Sequence, residues 1–173
     1  ELQKHKGRVV IQGDNMKDES GLAAVFADAA SSASHLAASK LCDATALLPG
    51  CGGEQSDAPG AYTQALLYGD GRIDPVDTWI MLPKWRQPES WAKYKDIVCI
   101  LRLALYGHPL AGVFWARHCR TCIGSVGFRP IRGWQCVWKH DELDLILSAY
   151  VDDFKMAGPS DNMNKGWDLI RLS

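Results

Sequence analysis

Leu143-Asp144-Leu145-Ile146-Leu147-Ser148-Ala149-Tyr150-Val151-Asp152-Asp153-Phe154-Lys155-Met156-Ala157 is the stretch that decides the fold. Two β-prone runs flank a short polar connection, and Gly158-Pro159 stops the second. This arrangement reads as a β-hairpin. Its tip carries adjacent carboxylates, Asp152 and Asp153. Like charges this close repel, and apolar flanks remove part of the water that would screen them. The pair calls for a cation, and a hard divalent ion such as Mg²⁺ takes carboxylate oxygens as ligands. Neighbouring strand residues point to opposite faces, but at a turn both aspartates can reach one ion site. The ordinary alternative is a solvated Asp-rich turn.

Outward from the hairpin, the 173 residues suit one domain with a real core. Apolar residues make up 47% and charged residues 23%, as in ordinary globular chains. No apolar run approaches the roughly 18 residues that a membrane span needs, so no membrane contact is expected. Residues Glu1 to Arg8 are polar and lack the apolar segment of a signal peptide. The first residue is Glu and the last two close a helical pattern, so a fragment or excised domain is expected. The net charge of −1 and pI of about 6.6 argue against a simple electrostatic nucleic-acid binder. Six cysteines (Cys42, Cys51, Cys99, Cys119, Cys122 and Cys136) without a secretory signal suggest reduced thiols and an intracellular location.

In chain order, the basic start (Lys4, His5, Lys6, Arg8) leads into a short strand, Arg8 to Gln12, ended by Gly13-Asp14-Asn15. Basic side chains beside a strand could hold a triphosphate. Leu22, Val25, Phe26, Ala29 and Ala30 recur at helical spacing after a cap at Asp18 or Ser20. A second helix is expected over Leu36 to Leu48, stopped by Pro49-Gly50 and Gly52-Gly53. Glu54 to Asp57 ends a short extended segment, and a helix is expected from Pro59. A carboxylate at that junction, Asp57, lies among free backbone amides.

Further strands are expected at Thr78 to Leu82, Ile97 to Leu101 and Gly133 to Trp138. Residues 84 to 96 mix bases and aromatics and read as a surface loop, or as a stacking surface for nucleic acid. Helices are expected from Val113 to Gly127 and, capped by Ser160, through Met163, Trp167 and Ile170. The fold class is therefore α+β: an antiparallel sheet that carries both carboxylate sites, with helices on one face.

The ordered pieces resemble the reverse transcriptase of copia-type retrotransposon polyproteins, over nearly the whole chain. Lys6-Gly7-Arg8-Val9-Val10-Ile11-Gln12-Gly13 is similar to that family's opening fingers strand. Asp57 with Ala61-Tyr62 resembles its first catalytic motif, and Thr78 to Pro83 the strand that follows. Leu103-Ala104-Leu105-Tyr106-Gly107 with Trp115 resembles its Leu-Tyr-Gly segment and downstream Trp. Val126-Gly127-Phe128 resembles the close of the next helix, and Tyr150-Val151-Asp152-Asp153 the catalytic hairpin.

The resemblance implies an RNA-directed DNA polymerase that transfers a nucleotide from a dNTP to a primer 3′-hydroxyl with two Mg²⁺ ions, Mn²⁺ being a possible substitute. Asp57, Asp152 and Asp153 would be catalytic. The same three carboxylates and the Ala58 carbonyl would bind metal. Tyr62 would block a ribose 2′-hydroxyl, and Lys6 and Arg8 would grip the triphosphate. Residues 1 to 50 would hold partial fingers and the first helices, and 51 to 173 a palm-like sheet. The partners would be an RNA template, a DNA primer and the thumb and ribonuclease H parts of the polyprotein, in a cytoplasmic particle or the nucleus. The chain departs from the family after Gly107. Leu110 and Val113 replace a Gln that helps seat the nucleotide and an Arg, so a divergent or decayed element is expected, inactive or feeble as an isolated polypeptide.

Two other readings compete. Cys119, Cys122, Cys136 and His140 have a spacing close to that of a zinc-binding nucleic-acid module. A non-catalytic palm relic is the third.

Overall fold

The computed structural model describes residues 7, 9–24, 33–67 and 77–171. A five-stranded antiparallel sheet organises them. Its strands are β1 (Cys51–Asp57), β4 (Phe128–Pro130), β5 (Val137–His140), β6 (Leu145–Tyr150) and β7 (Asp153–Pro159), in the order β1-β7-β6-β5-β4. A separate two-stranded ladder joins β2 (Trp79–Ile80) to β3 (Cys99–Ile100). Three helices complete the fold: α1 (Leu36–Ala46), α2 (Ala111–Ser125) and α3 (Ser160–Arg171). The α+β class and the hairpin follow the sequence reading.

Strand alternation sorts the helices between the two faces. One face carries Leu145, Leu147, Phe154 and Met156, and these pack with Phe114, Trp115 and Ile123 of α2 and Met163 and Trp167 of α3. Fully burying each large apolar side chain contributes about 1.5–3 kcal/mol. α3 sits so close that a methyl at Gly166 would meet Leu145 and Met156. The opposite face carries Gly53, Ser148 and Lys155, and α1 covers it. The Cys42 thiol lies 3.6 Å from the Ser148 hydroxyl, and Lys155 pairs with Asp43 at 2.5 Å. Helices therefore lie on both faces, not one. The cause is the small-residue surface of α1, which packs Ala38 and Cys42 where the polar strand positions would otherwise meet water.

Several boundaries also move. Gly52-Gly53, expected to stop a segment, lie inside β1. A side chain at Gly53 would stand 2.9 Å from the Ala46 methyl, so glycine here permits close approach of α1. The helix expected from Pro59 is only a 3-10 turn, Ala61–Gln64. The chain is then drawn into pairing with the segment before the Leu-Tyr-Gly stretch: the Leu67 amide donates to Arg102 and the Ala104 amide to Ala65. Among residues 21–24, Asp18 holds a turn by accepting the Ser20 and Leu22 amides, and no helix forms there. Val25, Phe26, Ala29 and Ala30 lie outside the described residues. Residues 9–12 form no strand, although the Ile11 amide bonds the Tyr106 carbonyl. Gly133 and Cys136 take left-handed φ values of 81° and 52°, which delays the expected strand at 133 until Val137. No helix among the described residues is long and apolar enough to cross a membrane.

Candidate active site

The ends of three strands meet at one edge of the sheet. Asp57 closes β1, Asp153 opens β7, and the two are register partners. Tyr150, the last residue of β6, pairs with Asp153 from the other side. The Ala58 amide donates to the Asp152 carbonyl at 2.7 Å, which ties the end of β1 to the hairpin tip. The three expected catalytic carboxylates, nearly a hundred residues apart in sequence, are thus brought to one place. Asp57 and Asp153 are exposed and Asp152 is half-buried.

The electrostatics reflect the crowding. The Asp153 carboxyl is pushed up by desolvation first, then by its hydrogen bond with Asp57, then by the charges of Asp152 and Asp57. Among the described residues no lysine, arginine or histidine forms an ion pair with any of the three. Nor do three His, Cys, Asp or Glu side chains meet there in a finished metal-binding arrangement. The donor set is nevertheless hard oxygen with uncompensated negative charge. It fits Mg²⁺, which binds through one or two carboxylates and completes its shell with water and substrate phosphate.

The turn itself is held from below. Val151 has φ 58°, a left-handed conformation that a β-branched residue adopts only under constraint. Part of the constraint is visible: the Trp115 indole N–H donates to the Val151 carbonyl at 2.6 Å. Trp115 had been noted in sequence without a role. Its partner is remote in the chain and only the fold reveals it.

Tyr62 is half-buried beside the core, with its ring centroid 4.8 Å from that of Tyr106. Tyr106 was legible as part of a Leu-Tyr-Gly stretch, but not as the neighbour of Tyr62. Lys6 and Arg8 lie outside the described residues. Leu110 sits at the N-terminus of α2, half-buried against the core, and Val113 is buried. Neither position offers a polar group.

Among the described residues, Cys119, Cys122, Cys136 and His140 are not gathered into a metal-binding group. Cys136 precedes β5 in a left-handed conformation, and His140 closes the strand. The His140 ring is edge-on to Phe128, and its Nδ1 accepts the Leu143 amide. Without metal, burial pushes the thiols of Cys119, Cys122 and Cys136 up, and for Cys119 the neighbouring Cys122 and Cys136 add to the rise. All six cysteines are free.

No family model matches the chain, and no curated protein and no solved structure matches it.

Proposed function

We propose that the chain is the palm of an RNA-directed DNA polymerase, with part of its fingers, similar to the reverse transcriptases of copia-type retrotransposon polyproteins. The observation that carries this reading is the pairing of Asp57 with Asp153 across β1 and β7, with Asp152 tied to Ala58 beside them. A carboxylate from one motif and the pair from another are what a two-ion nucleotidyl transfer needs. The ions would stabilise the charge on the attacking 3′-oxygen and the departing pyrophosphate.

This chain's own residues do the rest. Asp57, Asp152 and Asp153 supply the negative cradle. Trp115 holds the tip rigid, which matters where positioning and electrostatics carry the reaction. Tyr62, five residues beyond Asp57, is the filter against a ribose 2′-hydroxyl. Template RNA, primer DNA, dNTP and the remaining parts of a polyprotein are the partners of this reading.

The test is primer extension on an RNA template with Mg²⁺ or Mn²⁺, alongside Mn²⁺ binding followed by electron paramagnetic resonance. Extension and ion binding that both disappear in Asp57→Asn support the reading. Ion binding or extension that survives Asp57→Asn, or a parent chain that binds no ion, overturns it. The packed, apolar Leu110 and Val113 favour a second reading, a palm that has lost catalysis. Its signature is ion binding without extension.

A further inference from the structure

We propose that the groove between α2 and the β4–β5 connection is a second binding site, one that takes a nucleobase-bearing phosphate, as a free nucleotide or as one unit of a single strand. It is a cavity of about 280 Å³, just below the size range of small-ligand pockets, open enough to take one nucleotide. One wall is a helical stripe, Val113, Ala116, Arg117 and Arg120, at i, i+3, i+4 and i+7. The other is the connection that presents Trp134.

Among the described residues the charges are uncompensated. Arg117 and Arg120 are both exposed, and among the described residues neither has a carboxylate partner. No Asp or Glu lines the groove. Two guanidinium groups one helical turn apart match the oxygens of a phosphate, which they can bind in a bidentate manner. Trp134 is held by a turn, its amide donating to Ile131, while its side chain stays 37% exposed. An exposed indole on a fixed turn, beside buried Trp138, is a stacking platform for a flat base. Aromatic and guanidinium groups together select a ligand that is both planar and anionic.

The groove is independent of the carboxylate edge. At about 100° per residue, the arginine stripe lies roughly opposite Trp115, the residue that reaches the hairpin tip. The inference therefore stands whether or not the polymerase reading does, and it needs no metal.

The experiment uses the full chain in EDTA, so that no divalent ion can bridge a nucleotide to Asp57 and Asp153. The probes are a fluorescently labelled oligodeoxythymidylate, followed by anisotropy, and adenosine monophosphate, followed by calorimetry. Trp134→Ala is expected to weaken binding about ten-fold. The Arg117→Gln/Arg120→Gln double variant is expected to weaken it further and to flatten the salt dependence of oligonucleotide binding by about 1.4 in log–log slope. Bound probe should also slow iodoacetamide alkylation of Cys136, which lines the groove, without slowing that of Cys51 at the far edge of the sheet. If both probes bind and respond, the site accepts free nucleotides; if only the oligonucleotide does, it reads a strand. No binding, binding indifferent to both sets of variants, or equal protection of Cys51 and Cys136 overturns the proposal. All three positions are exposed, and unchanged melting temperatures identify variants that remain folded.

Discussion

Asp57 and Asp153 stand directly opposite each other across the β1–β7 ladder, each at the end of its strand. Folding forces two like charges together, with Asp152 adjoining. The strands pair in this register because their other residues gain from it, and the carboxylates are carried along. Such a pairing is destabilising while both carboxylates are charged and no cation lies between them.

Asp153→Asn should therefore stabilise the metal-free protein. The folded-state pKa of Asp153 lies above its unfolded value, so its contribution favours the fold at acid pH and is lost as pH rises through the carboxylate range near 4. At pH 7 in EDTA the variant should melt roughly a degree or two higher, and the gap should close towards pH 3. Equal melting temperatures at pH 7 would remove the electrostatic argument.

Adding Mn²⁺ should reverse that order. At about a hundred times its dissociation constant, an ion bound only by the folded state adds about 2.7 kcal/mol. The parent's melting temperature should climb with Mn²⁺, while that of Asp57→Asn stays flat. A parallel rise in both would place the ion elsewhere.

Trp115→Phe keeps most of the buried ring and deletes one donor. The Val151 carbonyl loses its partner, at a cost of about 1–3 kcal/mol. Amide exchange should accelerate at Asp152 and Asp153 more than in the centre of the sheet. Uniform acceleration would mean that the indole supports the core and not the tip.

His108 gives a second pH dependence, of opposite sign. It is buried, its Nδ1 accepts the Leu110 amide at 3.1 Å, and its Nε2 stands 3.0 Å from the Thr78 hydroxyl. The neutral ring thus carries its proton on Nε2. Burial lowers its pKa, as it does for His118. Stability should be complete above about pH 6.5 and fall as pH drops below that unfolded-state value. Urea midpoints at pH 7.5 and 5.5 should differ less in His108→Gln than in the parent; an undiminished difference would assign the effect to His118 alone.

Gly166→Ala should destabilise by about 1–3 kcal/mol, because the new methyl runs into Leu145 and Met156. Gly124→Ala on α2 meets nothing within 4 Å and serves as the control. Chemical denaturation of the two variants separates overpacking from loss of glycine in a helix. Equal effects would rule out the packing explanation.

What could be read in the sequence was local. The hairpin declared itself because β6 and β7 are adjacent, and α2 and α3 because their apolar positions recur within a few turns. The placement of α1 was hidden. Ser148 and Lys155 look like solvent-facing strand positions, and only the cover provided by Cys42, Ser39 and Asp43 explains them. Gly52-Gly53 read as a stop because glycine usually marks one, whereas here its missing side chain makes room for Ala46. Of the site, the three carboxylates were legible as residue types at motif spacing. Their register was not, since pairing across a hundred residues leaves no local trace. The zinc spacing is linear separation alone, and it says nothing about where the fold places each ligand.

The open position at Gly53 and the carboxylate of Asp57 belong to the same face of β1, four residues apart. That even separation is an arithmetic constraint on how this segment can change in length. Deleting or inserting one residue between them would leave α1 seated but turn Asp57 towards the face that packs against α2 and α3, away from Asp153. Only changes by two preserve both the helix contact and the acidic edge, so the interval tolerates substitution far more readily than a change in count.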